Sequence, residues 1–202
     1  ITMAPQFAEA YLERGKLLFR RDSLNGAMRD LKRAAFINEN LGEAHFYKGL
    51  VLYEQQKLDS ALQELTFAIQ AGYQTAEVYY VRGLAAFDQG DYENAIMNFT
   101  NAIDSRFNFA YAYNDRGSAK MKIEDYRGAV KDFEKAISYH DNLPLFYNNL
   151  GNAQIQTTDF ESARQNFSKA IELNPSYYKA YVNRGIVETM TEKYEAANMD
   201  FK

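Results

Sequence analysis

Residues Ala76 to Phe109 read AEVYYVRGLAAFDQGDYENAIMNFTNAIDSRFNF, and the rest of the chain repeats this stretch. Stepping from Gly83 by 34 in both directions gives Gly15, Gly49, Gly117, Gly151 and Gly185 without a slip. The same step from Ala95 gives Ala27, Ala61, Ala129, Ala163 and Ala197, and from Ala102 it gives Ala34, Ala68, Ala136 and Ala170. A fixed period of this size marks an array of small supersecondary units stacked to bury a shared core.

Each unit reads as two amphipathic helices, so the fold class is all-α. Val78, Tyr79, Leu84, Ala85 and Ala86 give the first helix an apolar face, and Gln89-Gly90-Asp91 breaks it. Asp91 then stands where an N-cap belongs, with Tyr92, Ala95, Ile96, Phe99, Ala102 and Ile103 following at helical spacing. Ser23, Asp125 and Asp159 hold the same capping position elsewhere, whereas Lys57 and Lys193 predict frayed starts. A mid-helix glycine costs about 1 kcal/mol relative to alanine. Six in register therefore predict close approach of one helix to its neighbour's backbone.

The unit resembles the tetratricopeptide repeat (TPR) family. An aromatic stands four positions before the glycine (Tyr79), a small residue twelve after it (Ala95), an aromatic four beyond (Phe99) and alanine three beyond that (Ala102). The resemblance covers five full repeats, 8–41, 42–75, 76–109, 110–143 and 144–177, plus a truncated sixth, 178–202, after a lead-in of residues 1–7. It implies a single right-handed superhelical solenoid of antiparallel helix pairs. Only Pro175 fills the proline position that often closes a repeat of this family. A start without methionine and an end inside a repeat read as a fragment of a longer protein.

The residue before the glycine, commonly leucine in the family, is Arg14, Lys48, Arg82, Arg116, Leu150 and Arg184. Sixteen positions later stand Asp30, Glu64, Asn98, Asp132, Asn166 and Asp200. Every acid in the second series answers a cation in the first, and the lone leucine answers an asparagine. Ion pairs between the two helices of a repeat are expected.

Composition narrows function by exclusion. The chain has no cysteine, hence no disulfide, thiolate metal site or cysteine nucleophile. That absence fits the cytoplasm and a periplasmic or extracellular setting alike. No apolar run reaches the ~18 residues of a membrane span, and ITMAPQFAEA lacks the basic segment and apolar core of a signal peptide. Net charge is −4, against general affinity for nucleic acid. The charge is uneven: repeat one is +2, repeats two and three together −5. His45 fills an aromatic core position and His140 a turn, no phosphate loop or metal spacing appears, and Asn98-Phe99-Thr100 and Asn166-Phe167-Ser168 are sequons placed across core aromatics. No enzyme activity and no cofactor are expected.

What remains is a surface. The family resemblance implies a concave groove lined by the first helices, taking a partner helix or extended peptide. The lining positions, at spacing i, i+4, i+7, are Leu12, Lys16, Phe19; Phe46, Leu50, Tyr53; Tyr80, Leu84, Phe87; Asn114, Ser118, Met121; Asn148, Asn152, Ile155; and Val182, Ile186, Thr189. The first half is apolar and aromatic, and repeats four and five are amide-rich. Leu50 and Leu84 depart from the polar residue usual at the middle position and are the best-supported contacts. Lys16 stands alone among apolar neighbours, against a carboxylate clamp, and Asn149 and Asn183 alone hold the position of the family's amide ladder. The chain is therefore expected to be a non-catalytic scaffold for a protein or peptide. The alternative is an accessory, substrate-positioning arm of a larger enzyme or of a secretion or assembly machine. The cut sixth repeat, exposing Tyr194, Ala197 and Phe201, offers a surface for self-association.

Overall fold

The computed structural model describes residues 6–202. Of the expected lead-in, residues 1–5 lie outside the described residues, and Gln6 and Phe7 already belong to the first helix. The chain divides into two compact units, residues 1–105 and 106–202. The first holds α1 (Gln6–Arg20), α2 (Leu24–Ile37), α3 (Gly42–Glu54), α4 (Leu58–Gln70), α5 (Ala76–Asp88) and α6 (Tyr92–Ser105). The second holds α7 (Ala110–Lys122), α8 (Tyr126–Tyr139), α9 (Pro144–Gln156), α10 (Phe160–Leu173), α11 (Tyr178–Met190) and α12 (Tyr194–Asp200). The described residues contain no strand.

Each odd-numbered helix packs on the even one that follows. In the first pair Gly15 faces Leu31 while Gly26, nearer the turn, faces Leu18, so the helices run antiparallel. The glycines do not admit a neighbouring backbone, as the sequence suggested. They seat the large side chain sixteen residues on. A Cβ on Gly83 would lie 2.6 Å from two ring atoms of Phe99, and one on Gly15 or Gly49 would lie 2.8 Å from Leu31 or Leu65. The nearest backbone atom in those two cases is a carbonyl oxygen 3.5 Å away. Phe99, Phe133 and Phe167 are fully buried as a result, among the alanines at 95, 129 and 163.

The turn joining the helices of a pair is the same in all six cases. Asp22, Gln56, Gly90, Glu124, Thr158 and Glu192 each adopt a left-handed backbone, with φ between 58° and 83°. Five of the six are not glycine, and each such residue costs about 1–2 kcal/mol. The following amide closes the turn on a carbonyl five residues back, as Lys57 N–H does on Leu52 at 2.9 Å. This backbone arrangement sets the helix start. α4 and α12 therefore begin in register behind Lys57 and Lys193, although neither residue supplies a side-chain cap. Asp91, Asp125 and Asp159 do cap, accepting from Asn94, Gly128 and Ser162 at 3.0–3.2 Å, while Ser23 makes no side-chain cap.

The expected ion pairs form. Arg14–Asp30, Arg116–Asp132 and Arg184–Asp200 are bidentate at 2.6–2.9 Å, and Lys48 reaches Glu64 at 2.7 Å. Each of the three arginines also lies 5.3–5.6 Å over the ring of the tyrosine three residues before it. In the fifth pair Leu150 is buried and Asn166 donates instead to Gln154 at 2.8 Å. In the third, Asn98 holds the acid's position opposite Arg82 in the sequence register, donates to the Asn94 carbonyl at 2.7 Å, and leaves its buried Oδ1 without a hydrogen-bond partner.

Candidate functional site

The lining positions inferred from the sequence divide into two groups. In the first unit Leu12 and Phe46 are buried, which corrects their placement on an open surface. Leu12 shares a core cluster with Ala44 and Val51 of α3, and Phe46 with Val78 and Val81 of α5. Their position on the helix faces the next repeat's first helix. Leu50, Tyr53, Tyr80, Leu84 and Phe87 are half-buried and keep part of their surface in solvent. The Tyr53 hydroxyl donates to Asp88 at 2.8 Å, tying the end of α3 to the end of α5. Phe87 packs edge-on against Tyr92, and Tyr80 lies 5.8 Å from Phe99.

Lys16 is a brace rather than a clamp. Its Nζ donates to Glu13 at 2.7 Å and to Glu43 of α3 at 2.8 Å, and it sits 5.5 Å from the Tyr47 ring. Its bonds to Glu13 and then to Glu43 push the ammonium well above the ordinary lysine range. His45 is similarly structural, half-buried with Nδ1 2.7 Å from Glu64. Burial pushes the Glu64 carboxyl up, but the bonds from His45 and Lys48 prevail and hold it below the usual range. His140 is exposed, as expected of its turn, and its ring stacks near Tyr111 and Phe146.

In the second unit Asn114 and Asn148 are buried, again correcting an open-surface placement. A buried amide needs partners, and the next first helix supplies them. Asn149 Nδ2 donates to Asn114 Oδ1 at 2.9 Å, and Asn183 Nδ2 to Asn148 Oδ1 at 2.9 Å. The two asparagines that looked too few for a ladder thus make one rung each. Between α9 and α11 lies a depression of about 360 Å³. Its wall includes Asn148, Asn149, Asn152 and Asn183, with apolar surface from Leu145, Tyr178 and Val182 and one charge, Lys179. Leu145 is 44 % exposed, Val182 43 % and Tyr178 68 %, so these side chains are open to a ligand.

The sequence reading missed Leu145, Tyr178 and Lys179. For Tyr178 a signal existed: the corresponding residues Ala8, Gly42, Ala76, Ala110 and Pro144 are all small or proline. At the end of the chain Tyr194 and Phe201 are exposed as expected, but Ala197 is buried. Of the sequon asparagines, Asn98 is buried inside α6 and Asn166 is half-buried inside α10. No group of three or more potential metal ligands occurs among the described residues, and no helix among them is long and apolar enough to cross a membrane.

Family models for the tetratricopeptide repeat match residues 46–103, 110–140 and 144–177. No curated protein sequence matches the chain. Among solved structures it is similar to YrrB, a TPR protein with an unusual peptide-binding site (18% identity, 84% of this chain and 88% of that one, TM-score 0.76). It is also similar to PilF of Pseudomonas aeruginosa (17% identity, 96% and 89%, TM-score 0.80) and to MamA (24% identity, 82% and 96%, TM-score 0.76). At these identities the likeness is one of fold. With the repeat register, the six identical turns and the three matched segments, the chain belongs to the tetratricopeptide repeat family.

Proposed function

We propose that the chain is a non-catalytic scaffold that holds a partner protein by a helix or extended peptide laid on the exposed face of its first helices. The depression between α9 and α11 carries this reading. Its amides offer donors and acceptors together, which suits a peptide main chain. Leu145 and Val182 offer apolar contact for side chains, and Tyr178 offers an aromatic anchor of the kind enriched among binding hot spots. With Lys179 as its one charge, the site favours main-chain over charge recognition. The peptide-binding site of the structurally similar YrrB agrees with this use of the fold.

The test is a selection of random displayed peptides against the whole chain. Two variants are then compared with the parent, Asn152→Asp/Val182→Asp and Leu50→Asp/Leu84→Asp. Selected peptides should lose about tenfold or more in affinity, about 1.4 kcal/mol, in at least one variant while far-UV circular dichroism is unchanged. The variant that loses binding assigns the face. Equal binding to the parent and both variants would overturn the proposal.

A further inference from the structure

The face formed by α3 and α5 carries an electrostatic pattern that helix stability does not account for. Both helices present the same series: a carboxylate in the first turn (Glu43, Glu77), a leucine (Leu50, Leu84), an aromatic (Tyr53, Phe87) and a carboxylate as the last residue (Glu54, Asp88). The first of these acids complements the positive N-terminal end of the helix dipole, whereas the last opposes its negative end. Neither helix has a base in its last turn, and Glu54 and Asp88 are exposed. The corresponding residues of α1 and α7 are Arg20 and Lys122, the sign the dipole favours.

Little nearby charge compensates. Residues 42–105 hold nine carboxylates and three cations, and of those cations Lys48 is closed on Glu64 at 2.7 Å. Glu43 is already answered by Lys16, so the uncompensated end of the face is the one with Glu54 and Asp88.

Resting on the scaffold reading above, we propose that the segment docked on α3 and α5 is basic and amphipathic. Its apolar side chains lie on Leu50 and Leu84, and its lysines or arginines meet Glu54 and Asp88. The rings of Tyr53 and Phe87, beside those carboxylates, add cation–π attraction for the same groups. Charge at such a rim governs partner choice, association rate and salt dependence.

Two fluorescent probe peptides of identical leucine spacing, one leucine–lysine and one leucine–glutamine, test this by anisotropy on the whole chain. The lysine peptide should bind about tenfold more tightly at low salt, and added salt should erase the difference. The isosteric Glu54→Gln/Asp88→Asn variant should also erase it, with no loss of thermal stability. Glu124→Gln/Glu134→Gln, on the other unit, should leave it intact. Equal binding of the two peptides to the parent, or a difference that survives in the Glu54/Asp88 variant, overturns the basic-partner proposal. The docking reading beneath it fails separately, if Leu50→Ser/Leu84→Ser weakens neither peptide or if neither binds the parent.

Discussion

The Arg116–Asp132 pair gives the most demanding check on how the helix pairs are fastened. Asp132 is 4 % exposed and accepts from Arg116 Nε at 2.9 Å, Arg116 Nη2 at 2.6 Å and Lys120 Nζ at 2.8 Å. Hydrogen bonds to charged groups contribute about 1.5–3 kcal/mol each when one partner is deleted. Asp132→Asn keeps the shape and removes the charge, for an expected loss of about 2–3 kcal/mol. Arg116→Leu leaves Lys120 as the remaining cation on Asp132, with a similar loss. The double variant recreates the Leu150/Asn166 combination that the fifth pair already uses. Its loss should therefore fall short of the sum by about 1–2 kcal/mol, within the range for residues in one network. Urea unfolding followed by far-UV circular dichroism reads these values, since 2 kcal/mol moves the midpoint by about 1 M at a slope near 2 kcal/mol/M. Additivity within about 0.5 kcal/mol would refute the coupling.

Three further outcomes follow from the same geometry. Asn98→Asp supplies the missing acid opposite Arg82 and should raise stability by about 1 kcal/mol; a lower urea midpoint would count against that pairing. Gly83→Ala gains about 1 kcal/mol of helix propensity, but its Cβ meets the buried Phe99 ring at 2.6 Å. Overpacking of about 1–3 kcal/mol should prevail, and a stabilised variant would show that the ring yields freely. The bond from Arg14 holds the Asp30 carboxyl below its usual range. Its stabilisation is therefore complete above the unfolded pKa of about 3.9 and is lost as pH falls through the lower folded value. Melting temperature against pH should show a shallower acid limb for Asp30→Asn than for the parent.

The fold was legible because a fixed period aligns six readings of the same structural position. One glycine among aromatics says little, but six in register, each followed sixteen residues later by leucine or phenylalanine, define a packing contact. The ion pairs were legible for the same reason, since cation and acid vary together within the chain. The surface was less so. Positions i, i+4 and i+7 lie within about 60° of one another around a helix of 3.6 residues per turn. A strip that narrow straddles the boundary between the seam to the next repeat and the open face. Leu12 and Phe46 fall on the seam side, and Leu50 and Leu84 on the edge, although all four are apolar. The amide rungs were hidden because their two members occupy different positions in successive repeats, 35 residues apart.

The contrast between the charged fourth pair and the neutral fifth bears on how a repetitive chain avoids folding on the wrong neighbour. Helices α7 and α9 are close enough in design that either could compete for α8 or α10. Exchange would set Leu150 against Asp132 and Arg116 against Asn166. It would strip the buried carboxylate of its guanidinium, and breaking a buried pair in this way costs about 3–5 kcal/mol. The native fourth and fifth pairs instead match charge to charge and an apolar group to an amide. In these two hairpins the pairs thus act as labels, so that neighbouring segments nearly interchangeable in shape are kept distinct by electrostatics.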